Sequence, residues 1–299
     1  MSANPADIIK IGKDSFRELE RNDPLRLAGA TAFFSTFALP AVVLIILQIT
    51  RLFLPPKEGS AQLLGNLSRF VGDQAIIHLN TVLSGFDKIT TSPIAIFTGF
   101  LFILFVATTL FKVIKNSLNQ IWKIKIFRKR SVDLIFRMRV RELVIIISAA
   151  LLFLLVLLME GLTTFATEEL TDSSGFLRVI LSNSISFIIS LAAATAWFGL
   201  IFSFLPDGRY PIKICVLGAL LTSILFNTGK LLLKWLLLNS NISLIFGKSA
   251  AIVLLLLFVF YTSFIFYFGA AFTKALAKYK NAPIKPLPHA QLYELKEKE

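Results

Sequence analysis

Lys230 and Lys234 stand inside LFNTGKLLLKWLLLN, residues 225 to 239, a run otherwise as apolar as the middle of a membrane helix. Four residues apart, their ammonium groups share one helical face about 6 Å apart along the axis. A charge in hydrocarbon requires a partner, a wet cavity or reach to the interface. The chemistry such residues can do is therefore ion pairing or anion binding. The one acid within a comparable apolar run is Glu160. Counted from helix entries near Ile212 and Leu143, Lys230 falls about 27 Å and Glu160 about 26 Å along their helices, and Lys234 about 33 Å. Lys234 can snorkel to the headgroups. Glu160 and Lys230 are expected to face a shared polar cavity, paired directly or through water, with Asn227 one turn below as a neutral hydrogen-bonding wall. The plainer alternative is that Glu160 reaches the interface alone.

Catalysis needs more than this. Hydrolytic or nucleolytic chemistry requires converging carboxylates with a metal, or a nucleophile beside a base. Neither histidine lies in an apolar run, and His78 reads as a surface residue. The single cysteine, Cys215, can form no internal disulfide, and no zinc spacing is present. No enzyme activity, metal or cofactor is expected.

The elements that must position these residues are membrane helices. Of 299 residues, 56% are hydrophobic and 16% charged, with mean hydropathy +0.74, more apolar surface than a soluble domain of this size needs. The expected fold is all-α: a polytopic membrane protein with six transmembrane helices plus interfacial amphipathic helices. Apolar runs place the spans at about 28 to 51, 93 to 115, 143 to 165, 179 to 205, 213 to 238 and 250 to 272. The first follows a mixed-charge segment rather than a short basic region, so it reads as an uncleaved helix. The 29 phenylalanines read mostly as lipid-facing surface.

Lysine and arginine are distributed unevenly about these spans. One side holds five in residues 1 to 26, ten from Lys112 to Arg141, two between 206 and 213, and six after 272. The other side holds only Arg51, Lys57, Arg69, Lys88, Arg178 and Lys248. The positive-inside rule then puts both termini in the cytoplasm. The net charge of +13 follows largely from topology, with anionic lipid headgroups as partners at the cytoplasmic face. No nucleic-acid partner is needed to explain KIKIFRKR.

Small residues mark where helices meet, because close backbone approach supplies the dispersion contacts. Ser182, Ser186, Ser190 and Ala194 form one four-residue ladder, and Ala28, Ala32 and Thr36 another. Pro40 frees a carbonyl within the first span and invites a kink. Residues 1 to 26 form an amphipathic segment, with Ile8, Ile9, Gly12, Phe16 and Leu19 near one face and Asp23-Pro24 as its stop. Residues 61 to 89 repeat that pattern outside. NAPIKPLPHAQ reads as a flexible, proline-rich cytoplasmic end. ATAFF at 30 to 34 and ATAWF at 194 to 198 match in helices of opposite direction, as an inverted repeat would and as chance also would.

The chain resembles the YihY/BrkB family of six-span bacterial inner-membrane proteins, some of whose members long carried a ribonuclease BN label. The resemblance rests on ATAFFSTFALP in the first span, SLNQIW at Ser117 to Trp122, FSFLPDGRYPIKICVLGALLTSILFNTGKLLL, and YFGAAFTKAL. It implies an envelope protein of the cytoplasmic membrane with transporter-like architecture, and supplies no substrate. Lys230, Gly229, Gly218 and Gly247 match the family pattern. Phe33 and Phe34 stand where tyrosines are usual, Ala38 where a serine is, and Asn227 and Ala271 where acids are. A mechanism needing those two carboxylates is in doubt here.

The expected organisation is a cytoplasmic amphipathic segment (1 to 26), a six-helix membrane domain (27 to 278) with an external segment at 53 to 92 and a basic loop at 116 to 142, and a cytoplasmic tail (279 to 299). The leading functional reading is a transporter-like protein that moves or handles a lipid or amphipathic anion. The alternative is a non-transporting envelope-integrity protein.

Overall fold

A computed structural model describes residues 5–53, 93–126, 144, 148, 175–238 and 250–293. The third expected span, apart from helical Val144 and Ser148, and the segment 54–92 with His78 lie outside the described residues, as do residues 127–142 of the basic loop and Gly247.

The chain is mostly helical. Helix α1 covers Pro5–Glu20, α2 Pro24–Phe53, α3 Pro93–Ile121, α4 Gly175–Phe204, α5 Ile212–Leu238 and α6 Ala250–Tyr279. Among the described residues, the stretches Phe187–Phe204, Ile212–Leu232 and Val253–Tyr279 are long and apolar enough to cross a membrane. Helix ends overshoot the apolar runs. α3 continues six residues past Lys115, and α6 seven past Phe272, because helix propagation depends on backbone hydrogen bonds and not on hydropathy.

The helix stops are local. α1, α3 and α6 are each followed by a residue with positive φ: Asp23 (53°), Lys123 (58°) and Asn281 (49°). A left-handed residue just past the last turn lets following N–H groups reach orphan carbonyls, as Ala282 N–H, just after Asn281, does to Ala277 O at 2.9 Å. Pro24 then opens α2, where its missing N–H costs nothing. α2 continues through Pro40 as a single helix.

The chain divides into two compact units. One comprises Met1–Pro24, Lys115–Asn227 and Ile265–Glu299; the other comprises Leu25–Ile114 and Thr228–Phe264. The described residues of the first unit include four short strands, a small departure from an all-α fold. β1 (Ile124–Ile126) pairs antiparallel with β4 (Ala290–Leu292), and β2 (Gly208–Arg209) with β3 (Lys285–Pro286). Residues 285–292 are therefore not the flexible end expected from their prolines. The expectation weighed local composition only, whereas two strand pairings and a Leu287 N–H to Asp207 O bond at 2.9 Å tie the segment down.

The core of this unit is aromatic. Trp122 meets Tyr210 edge-on at 4.9 Å between ring centroids, and Phe202 stacks on Phe266 at 5.2 Å. Phe198 packs against both Phe226 and Phe266. The Trp122 indole N–H donates to Ala270 O at 3.0 Å, which satisfies the one polar atom that burial would otherwise penalise. Several phenylalanines thus build this core, while Phe187 and Phe204 stay exposed.

On α1 the burial pattern is mixed. Ile11, Ser15 and Leu19 are buried, whereas Ile9 and Phe16 are exposed. Ser15 can face inward because its hydroxyl donates to Ile11 O at 2.6 Å.

In the second unit, Ala28 and Ala32 are fully buried on α2, and the Thr36 hydroxyl donates to Ala32 O at 2.8 Å. Gly229 abuts the Tyr261 ring so closely that a Cβ there would overlap it.

Candidate functional site

The linker from α4 to α5, residues 205 to 211, carries the most heavily bonded acid among the described residues. Asp207 is fully buried. Its Oδ1 lies 3.0 Å from the Lys115 ammonium on α3 and 3.2 Å from His289 Nε2. A carboxylate can only accept, so Nε2 is the protonated nitrogen of that imidazole. Asn119, one turn beyond Lys115, closes the site in both directions. Its Nδ2 donates to Asp207 Oδ2 at 2.9 Å, and its Oδ1 accepts the Asp207 N–H at 2.9 Å. The i, i+4 spacing on α3 places ammonium and amide on one face.

Burial alone would push the Asp207 carboxyl up. The Lys115 charge and the hydrogen bonds from Asn119, Lys115 and His289 outweigh it, and hold the carboxyl below its ordinary value. Burial also pushes the neighbouring Tyr210 hydroxyl up. All polar atoms of Asp207 are engaged, so the cluster is a junction of α3, the linker and the C-terminal segment, with no lone pair aimed at open space. Among the described residues no three His, Cys, Asp or Glu side chains come together. A second polar junction lies nearby in the same unit: Lys274 of α6 donates to Glu18 Oε1 and to Ile121 O, both at 2.7 Å, capping the end of α3.

Between α4 and α5 runs a seam and, beside it, a groove. In the seam, the Ser190 hydroxyl donates to Asn227 Oδ1 at 3.1 Å, Asn227 Nδ2 donates to Ser223 O at 2.9 Å, and the Ser223 hydroxyl donates to Leu191 O at 2.9 Å. The groove has a volume of about 650 Å³. Ala192, Thr195, Ala196 and Gly199 of α4 leave the space, and Ile212, Val216 and Leu220 of α5 wall it. Small side chains at helical spacing beside large ones make a concave strip without any break in either helix.

The residues singled out by sequence are described only in part. Asn227 is buried and joined to Ser190, a residue of the α4 ladder. Ala194 is half-buried. Lys230 is half-buried on α5, and Lys234 belongs to the same helix. Glu160 lies outside the described residues, as do the side chains of Lys234, Pro40, Ser182 and Ser186. The Asp207 junction was missed. Its signal was an acid in LPDGRYP followed by a basic span entry, but partners 88 and 82 residues away cannot be read from one sequence.

These features define a helical integral membrane protein whose helices are locked by buried polar junctions. The family profile described as Virulence factor BrkB matches residues 15–294, and the chain belongs to that family. Its relatives include proteins named UPF0761 membrane protein. That of Saccharophagus degradans is 26% identical over 88% of this chain and 58% of its own length. That of Teredinibacter turnerae is 24% identical over 92% and 62%, and that of Cronobacter sakazakii 25% over 85% and 84%. The chain thus spans about three fifths of the length of the first two. No solved structure matches it.

Proposed function

We propose that this chain is an integral protein of the bacterial cytoplasmic membrane, with both termini inside, that handles a lipid or amphipathic anion along the α4–α5 groove. The groove carries the reading. It is an apolar strip on two helices that are long and apolar enough to span, and an acyl chain gains there the dispersion contacts that flat helix packing would deny it. The lysine and arginine bias supports the orientation. In this reading the protein catalyses no covalent step and binds no nucleic acid. Lys230, half-buried on α5, is a cation available to an anionic group.

The second reading, a non-transporting envelope-integrity protein, is favoured by the saturated Asp207 junction, which suits a rigid anchor. Reconstitution separates the two. Vesicles holding the full chain and a fluorescent phospholipid in one leaflet are expected to redistribute it faster than protein-free vesicles, and Ala196→Trp, which fills the groove, to slow that step. Redistribution no faster than in protein-free vesicles would leave the scaffold reading standing.

A further inference from the structure

The groove reaches Phe204 and Ile212, the two residues that flank the α4–α5 linker, and the linker and the strand paired with it carry cations. In the β2–β3 pair, Gly208 lies against Ile124 and Ile284 so tightly that a Cβ would come within 2.8 Å of Ile124 Cδ1. Successive strand residues point to opposite faces, so Gly208 turns inward and Arg209 outward. Lys285 is the register partner of Arg209 and shares its face. Both are exposed. Like charges directly opposite each other destabilise a strand pair, and two such groups persist readily where an anion sits between them. Lys213, also exposed, follows in the first turn of α5, next to the groove residue Ile212. Among the described residues, none of the three side chains has an acidic partner.

An apolar strip with three exposed cations beside its end has the polarity of an anionic phospholipid. We infer that the groove and its basic end form one binding site for such a lipid, with acyl chain against Ala196, Val216 and Leu220 and the phosphate between Arg209 and Lys285, within reach of Lys213. The site deepens the lipid reading above and rests on it for the groove's use, but binding and movement are separable. Movement across the bilayer also needs a path, whereas binding needs only the groove and the charges.

The test is lipid retention by the full chain in discs prepared from equimolar phosphatidylglycerol and phosphatidylethanolamine, then extracted into mild detergent and read by native mass spectrometry. A basic group near the membrane surface contributes about fivefold in affinity for anionic lipid. The wild-type chain is expected to retain phosphatidylglycerol preferentially. Arg209→Gln with Lys285→Gln is expected to lower that preference at least about tenfold, while Arg209→Lys with Lys285→Arg, which keeps both charges, retains it. Ala196→Trp is expected to reduce retention of either lipid. Equal retention of the two lipids by the wild-type chain overturns the inference, as does an unchanged preference in the glutamine variant. Undiminished retention of both lipids in Ala196→Trp overturns the groove half, because the charges would then act alone. Selective retention without leaflet redistribution would overturn the transport reading only.

Discussion

Gly218 of α5 and Thr273 of α6 lie so close that a Cβ at position 218 would overlap the threonine hydroxyl, and Gly269 of α6 meets Thr222 of α5 in the same way. The two helices thus interlock through a reciprocal pair of glycine-to-threonine contacts, written in the sequence as GALLT and GAAFT. Each threonine hydroxyl donates to the carbonyl of the glycine four residues earlier, Thr222 to Gly218 O at 2.7 Å and Thr273 to Gly269 O at 2.8 Å. Both hydroxyls are satisfied within their own helix, so the seam is held by close packing.

Gly269→Ala is expected to destabilise the chain by about 1–3 kcal/mol, the usual range for overpacking. Thr222→Ala should recover most of that loss when combined with it, since it removes the atoms the new methyl meets. Thermal unfolding of detergent-purified single and double variants measures the coupling; additive losses would contradict the contact.

At the polar junction, Asp207→Ala strands the buried Lys115 ammonium. The expected cost is about 3–5 kcal/mol, the range for breaking a buried pair from one side. Asp207→Asn with Lys115→Met should be milder than Asp207→Ala, because no bare charge remains. The unfolding midpoints of the two variants give the comparison.

The same group sets an acid limit. The folded Asp207 carboxyl titrates below its ordinary value of 3.8, so its stabilising contribution is complete above that value and is lost as pH falls through the folded one. Unfolding temperature should therefore be insensitive to this group from neutral pH down to the ordinary carboxylate range, then fall. In Asp207→Asn that last decline should shrink. An equal acid decline in the variant would assign it to other carboxylates.

The C-terminal segment is expected to protect the linker. Truncation after Asn281 removes β3, β4 and His289, exposing the linker and leaving Asp207 with two of its side-chain partners. Trypsin should then cut after Arg209 faster than in the full chain, a difference visible by mass spectrometry of early fragments. His289→Ala, which keeps both strands, should lie between the two rates.

The helices were legible because hydropathy acts over some twenty consecutive residues and the bilayer demands it of each span separately. That argument recovers α2 to α6 without knowledge of their neighbours, and it accounts for Lys230 being conspicuous. Ala28 and Ala32, four residues apart, are buried on α2. What a single sequence cannot hold is pairing between distant segments. Lys115, Asn119, Asp207 and His289 come from an apolar helix, a linker and a proline-rich end, and each by itself reads as an ordinary surface or loop residue. Only the tertiary structure buries them together, because the desolvation each charge suffers is offset solely by the others. The same physics decided the fate of residues 285–292. Their composition favours an extended chain without internal hydrogen bonds, and it was the unpaired edges of Ile124–Ile126 and Gly208–Arg209 that supplied the partners.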